Sequence, residues 1–228
     1  KKINREEFKI AFKIFFFFLF FYSLIFLFLS FLGKIPDFCI SDECAYFENA
    51  KNIFQGNYQD PLKDRLVPPG FSLLIAPFLI LDFSRSSIVF LNIIIESLTT
   101  LITYLTSIIF LPRKISIGIA LIWGLYYIKF EQLFTALTEP FSTFLIILGF
   151  YFICKTKFKR GIINYLFIGF TFGILSLTKP IFVYVLISLI ILTGFYYFFI
   201  NKKLFSFFLS LLLAFSMTLP YQIYTFGK

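Results

Sequence analysis

The sequence has no histidine, one tryptophan, one methionine and three cysteines, and only 12 of its 228 residues are acidic. The lack of histidine excludes imidazole-ligated zinc and histidine general bases. The cysteines, at positions 39, 44 and 154, do not make a metal-ligand pattern. Cys39 and Cys44 share one polar stretch and read as two free thiols; a disulfide is the alternative if that stretch faces an oxidising space. No internal repeat is visible. Charged residues make up 14% of the chain, so the position of each one is informative.

Apolar residues are abundant: 59% of the chain is hydrophobic, and 38 residues are Phe. Uncharged runs such as Ile14–Gly33 are long enough to cross a hydrocarbon core of about 30 Å. The chain therefore reads as an integral membrane protein rather than a soluble domain. The net charge of +9 suggests nucleic-acid binding only until the charges are placed. They fall in short segments between apolar runs, where Lys and Arg set membrane orientation, and no nucleic-acid partner is expected.

The predicted fold is an all-α polytopic membrane protein of about seven transmembrane helices, with an extracytoplasmic first loop carrying interfacial helices. The spans read as Ile14–Gly33, Ser87–Leu111, Ile115–Lys129, Pro140–Cys154, Gly161–Thr178, Ile181–Ile200 and Leu204–Leu219. The basic start and first apolar run resemble a signal peptide, but the run is too long and no small-residue cleavage site follows, so a retained helix is expected. Phe71–Leu81 differs from the spans: interrupted by Pro77, it reaches only about 17 Å and should lie at the membrane interface. The chain reads as one domain over 1–228, with 34–86 as the external loop. It starts on Lys1 and stops soon after an apolar run, and is expected to be the N-terminal part of a longer protein.

Charge selects the orientation. With a cytoplasmic N-terminus and 71–81 not crossing, the segments 1–13, 112–114, 155–160 and 201–203 are cytoplasmic. They hold 13 of the 21 basic residues and only two acids, Glu6 and Glu7. The same orientation sends Asp42-Glu43, the Glu131–Glu139 loop and Lys179-Pro180 to the opposite, external face of a plasma or inner membrane.

The longest polar stretch, Ser41 to Gly70, opens on Asp42-Glu43 and closes on Pro68-Pro69-Gly70. Tyr46, Ala50 and Ile53 fall on one face of a helix beginning at Asp42. An N-cap at Ser41-Asp42 is the plain alternative to a catalytic carboxylate; the second acid and the downstream Pro-Pro-Gly favour function. Pro68-Pro69-Gly70 fixes the entry of the 71–81 helix. Glu139, in Thr138-Glu139-Pro140, reads as a helix cap or as the mouth of a substrate path. Lys179, before Pro180, reads as a snorkelling lysine or as a cation for a phosphate, with Lys63 and Arg65 as further candidates. Glu96 lies ~14 Å into its span, where a carboxylate serves function or helix packing.

Taken in order, these motifs carry a resemblance. The acidic pair with Tyr46 and Ala50, the Pro68–Leu81 segment, Thr138–Pro140, Gly173–Pro180 (GILSLTKP) and Leu219-Pro220-Tyr221 resemble the polytopic GT-C type glycosyltransferases. That family includes dolichyl-phosphate-mannose protein mannosyltransferases and bacterial aminoarabinose transferases. The likeness covers nearly the whole chain. Tyr224-Thr225 stand where the family often has Arg-Asn, and its C-terminal helices and soluble portion have no counterpart here.

The resemblance implies inverting transfer of a sugar from a polyprenyl-phosphate donor to a lipid, polysaccharide or protein acceptor at the external face. Asp42 would be the general base and Lys179 the phosphate-binding cation, assisted by Lys63 or Arg65. Glu43 and Glu139 would orient the acceptor or hold a divalent cation, the one cofactor these oxygen ligands would suit, and Tyr46 would line the substrate site. Two rivals belong to other classes. A transporter or lipid flippase would draw on Asn92 and Glu96 near the midplane, and a membrane scaffold would need no site at all.

Overall fold

The computed structural model describes residues 3–36, 38–55, 67–80, 84–126, 133–156, 161–199 and 205–226. Among them lie nine α-helices and no strand: α1 (Arg5–Phe31), α2 (Asp42–Phe54), α3 (Pro69–Ile80), α4 (Arg85–Phe110), α5 (Arg113–Gly124), α6 (Glu139–Thr156), α7 (Ile162–Thr178), α8 (Ile181–Phe199) and α9 (Phe205–Phe226). Four of them, α1, α4, α6 and α9, are long and apolar enough to cross a membrane; α7 and the Ile181–Tyr196 part of α8 are shorter apolar stretches. The protein is thus helical and suited to a membrane.

Three boundaries depart from the sequence reading, one of them the last helix, which runs through Pro220 to Phe226 rather than ending at Leu219. The first helix starts at Arg5 rather than Ile14, because the Asn4 side chain accepts the Glu7 amide at 3.0 Å and caps an additional, charged stretch. The fifth stops at Gly124 rather than Lys129. There the Tyr22 hydroxyl donates to the Gly124 carbonyl at 2.7 Å, satisfying a terminal acceptor that the helix leaves open.

Helix α4 is the centre of the packing. Of its apolar span 72% is buried inside the protein, against 17% for α1. Helices α1, α5 and α6 pack on α4, and the bundle continues from α6 to α7 and from α7 to α9, with α8 against α9. The face of α1 turned to α4 is Glu7, Ala11, Ile14, Phe18 and Tyr22, at helical spacing. Its other face leaves Phe16, Phe17, Phe20, Leu24 and Phe28 exposed, as a lipid-facing helix requires.

Glu7 is counted in the sequence only as a cytoplasmic acid. It is buried, accepts from Tyr104 of α4 and pairs with Arg113 of α5 at 2.8 Å, so one carboxylate ties three helices together. Glu96, 3% exposed, faces Tyr22 of α1, whose hydroxyl also meets Thr100. This places Glu96 in the α1–α4 packing seam.

Helices α2 and α3 pack on each other, and α3 rests on α7 and α4. Beneath them is an apolar cluster of Ala50, Phe71, Ile75, Ala76, Ile88, Phe141 and Leu175. The Pro-Pro-Gly motif has a specific task here. A Cβ on Gly70 would sit 2.4 Å from Thr178 Oγ1 and 2.7 Å from the Thr178 amide nitrogen. The end of α7 can approach α3 this closely only because residue 70 has no side chain. Gly70→Ala should cost about 1–3 kcal/mol through overpacking against backbone, read as a lowered unfolding temperature in detergent.

Candidate functional site

The site is built on the first turn of α2, the segment entering α6 and the end of α7. Ser41 precedes α2 with φ 53°, a left-handed value unusual for a residue with a side chain, and makes no side-chain cap bond. The plain capping role expected at Ser41-Asp42 is therefore absent at Ser41. The turn is closed instead by a Cys39–Cys44 disulfide with the two Cα atoms 5.1 Å apart. This corrects the expectation of two free thiols: the reversal at Ser41 brings the cysteines within bridging distance.

Glu43 is 2% exposed and fully committed. Arg85 Nε donates to its Oε2 and Arg85 Nη2 to its Oε1, both at 2.7 Å, a bidentate pair. The amides of Ala136 and Ile40 donate to the same carboxylate at 2.8 and 3.2 Å. Burial pushes this carboxyl up, but the Arg85 guanidinium and the two amides outweigh burial and hold it below its ordinary value. Every acceptor position is taken, so a divalent cation at Glu43 does not fit, and no group of three or more metal-ligating side chains occurs among the described residues. Glu43 acts as the anchor that ties α2 to α4 and to the 133–138 segment, and the acceptor-orienting role expected of it does not fit this geometry.

Sequence reasoning passed over Arg85. The signal was present: a lone arginine in the first turn of a long apolar helix sits against the dipole and needs a carboxylate to hold it there. The same guanidinium donates to Pro36 O at 2.9 Å, and Asn92 Nδ2 donates to Thr135 O at 2.7 Å. Arg85 also reaches Phe134 O at 3.5 Å, and with the Asn92 bond this fixes the backbone that leads into Thr138-Glu139-Pro140.

Glu139 and Lys179 meet at 2.8 Å, each side chain 31% exposed. The lysine expected to await a phosphate is thus paired in this state. Each partner suits its helix end, the acid at the start of α6 and the cation at the end of α7. The second Glu139 oxygen is buried without a hydrogen-bond partner among the described residues. Tyr46 of α2 feels the charges of both Glu139 and Asp42. Burial, with the charges of Glu139 and Asp42, raises its hydroxyl pKa against a hydrogen bond with Thr138, so the phenol stays neutral. Its ring stands edge-on to Phe71 at 5.5 Å, and its backbone carbonyl accepts from Ser72 Oγ at 3.1 Å.

Glu139 and Lys179 are thus paired across two helices, and Tyr46 of α2 feels the charges of Glu139 and of solvent-exposed Asp42. Lys63 and Arg65, like Glu131, lie outside the described residues. A cleft of about 400 Å³ opens beside Asp42, lined among others by Lys34, Ser41, Arg85 and Thr135. Near the end of α7, Pro69, Leu177, Met217, Pro220 and Tyr221 line an apolar groove of about 350 Å³. Comparison with known proteins finds nothing: no family model, no curated protein and no solved structure matches the chain.

Proposed function

We propose that the chain is a membrane glycosyltransferase of the GT-C type, transferring a sugar from a polyprenyl-phosphate donor to a cell-envelope acceptor on the extracytoplasmic face. The observation that carries this reading is the Glu139–Lys179 pair, with Tyr46 under the charges of both Glu139 and Asp42, a cleft lined by Asp42 and an apolar groove lined by Leu177 near the end of α7. The seven-span arrangement with a cytoplasmic N-terminus and an interfacial α3 belongs to the same proposal. It is supported by the distribution of basic residues and by a disulfide in the loop assigned to the oxidising side.

In this mechanism Asp42 accepts the proton of the acceptor hydroxyl as its oxygen attacks the anomeric carbon from the face opposite the phosphate. The bond from that carbon to the phosphate oxygen breaks, the lipid phosphate leaves with the electron pair, and the sugar configuration inverts. Lys179 receives the phosphate charge. A partly exposed ion pair is worth about 1 kcal/mol or less, so a phosphate can compete with Glu139 for Lys179. Lys179→Ala should therefore leave the unfolding temperature nearly unchanged. It should raise the donor KM roughly tenfold to a hundredfold through one lost charge-assisted hydrogen bond. Translocation, the rival activity, would use Asn92 and Glu96, but Asn92 holds the Thr135 carbonyl and Glu96 faces Tyr22 in the packing seam.

The deciding assay offers a panel of polyprenyl-phosphate sugars to the complete gene product in lipid and follows labelled sugar into lipid, polysaccharide and protein fractions. Folded protein that turns over no donor sinks the proposal. Sidedness has its own test. Cys39 and Cys44 are bonded and Cys154 is buried, so a thiol introduced at Lys51 or at Lys114, both exposed, reports alone. A membrane-impermeant maleimide added to intact cells should label position 51 and not 114.

A further inference from the structure

We propose that the cleft beside Asp42 is a site for an anionic phospholipid with a hydroxylated headgroup, whose phosphate is held by Lys34. That this lipid is the sugar acceptor rests on the glycosyl-transfer reading; the lipid site itself does not. The cleft of about 400 Å³ is lined by both Lys34 and Asp42. Its volume is usual for a small-molecule site, which spans roughly 300–1,000 Å³. The other cation in it is already committed: Arg85 donates to both Glu43 oxygens at 2.7 Å and to Pro36 O at 2.9 Å. Lys34 is exposed, and its ammonium has no partner among the described residues.

Backbone bonds set the position of this lysine. Helix α1 ends in a Schellman turn with Gly33 at φ 64°: Gly33 N–H donates to Ser30 O at 3.0 Å and Lys34 N–H to Leu29 O at 2.9 Å. Leu29 lines the cleft as well. Two residues after Lys34, the bond from Arg85 to Pro36 O ties the chain to α4. The segment is thus fixed on both sides of Lys34. A lysine past a helix C-terminus also complements the dipole, but that role needs no cleft and gives a different experimental result.

The rim selects a lipid. Ile40 lines the cleft and is 50% exposed, and Phe31, Leu32 and Phe38 on the same stretch of chain are exposed too. Leu27 and Phe28 continue that apolar surface along α1. A water-soluble polyol would leave these side chains in water, whereas acyl chains cover them. An uncharged lipid would leave Lys34 without a counterion, and a lipid phosphate supplies one. In transfer the headgroup oxygen is the nucleophile. Its O–H bond breaks and the proton passes to Asp42, the new bond forms to the anomeric carbon, and the donor phosphate leaves with the electron pair of the broken bond. The acceptor's own phosphate stays intact, so Lys34 acts as a specificity residue and Lys179 keeps the donor phosphate.

The test titrates the full chain in detergent with four probes, followed by native mass spectrometry. They are phosphatidylglycerol, phosphatidylmethanol (the same anion without a hydroxyl), diacylglycerol and water-soluble glycerol 3-phosphate. The two phospholipids should bind with similar affinity, and the other two roughly tenfold or more weakly. Lys34→Gln should weaken phosphatidylglycerol binding roughly tenfold to a hundredfold, the loss of one charge-assisted hydrogen bond, with the unfolding temperature unchanged. Lys34→Arg should keep the affinity. Lys51→Gln, at an exposed lysine that does not line the cleft, should leave it unaltered. With a productive donor, label should enter phosphatidylglycerol and not phosphatidylmethanol, and Lys34→Gln should raise the acceptor KM with kcat retained.

Affinity that ignores Lys34→Gln, or glycerol 3-phosphate that binds as tightly as the lipid, overturns the lipid site. So does a lowered unfolding temperature in Lys34→Gln with lipid affinity unchanged, which would leave Lys34 to the helix dipole alone. Label that enters polysaccharide or protein and no phospholipid removes the acceptor role. Lys34-dependent lipid binding in a folded protein that turns over no donor supports the lipid site and defeats the glycosyl-transfer reading instead.

Discussion

Arg85→Ala should destabilise the protein by about 3–5 kcal/mol, the cost of leaving a buried charge without its partner. Glu43 would keep two amide donors, from Ala136 and Ile40, but lose the bidentate guanidinium. Pro36 O would lose a donor as well. Glu43→Gln should cost a similar amount from the other side, leaving Arg85 buried against a neutral amide. Replacing both residues with leucine should recover part of the loss, because no isolated charge then remains, but not all of it, because the two amides stay unsatisfied. Unfolding in detergent, followed by circular dichroism for the four proteins, gives the coupling. Additive single effects would remove the pair from its anchoring role. The pair also sets an acid limit. The folded-state pKa of Glu43 lies below its ordinary 4.5. Its stabilising contribution is therefore complete above pH 4.5 and is lost as pH falls through the lower folded-state value. Arg85→Ala should show a weaker acid dependence over that window.

Asp42→Asn should lower sugar transfer by roughly a hundredfold to ten-thousandfold, the range that a positioned general base contributes. Asp42 is exposed and lies outside the buried anchor, so the same substitution should shift the unfolding temperature little, within about 0.5 kcal/mol. Donor KM should also change little, since the phosphate is assigned to Lys179. Loss of kcat with stability and KM retained separates a base from a structural residue. Wild-type turnover by Asp42→Asn would remove Asp42 from the mechanism. A parallel fall in stability would instead give it a share in holding the turn.

These two neighbours, one residue apart, show how far sequence reading reached. The pair Asp42-Glu43 was identifiable as the place to look, because carboxylates are rare in this chain and these two follow the first apolar run. Their division of labour was not identifiable. Glu43 is inward because Arg85 stands 42 residues away at the start of α4, and no local pattern records that pairing. Lys179 was likewise marked by its scarcity on one side of the membrane, but its partner Glu139 is 40 residues away. The Cys39–Cys44 bond depends on the reversal at Ser41, and serine gives no sign of a positive φ.

By itself, the sequence determined the helical membrane character, the short helix after Pro-Pro-Gly and most helix positions to within a few residues. Apolar runs, helical spacing and proline act over one or two turns, so they can be read from neighbours along the chain. Only the tertiary structure decided which acid is buried and which is exposed, which cation is already paired, and which glycine must lack a side chain. Those outcomes depend on what a neighbouring helix places against each residue. A buried charge takes whichever partner the packing supplies, however far away it lies in the chain.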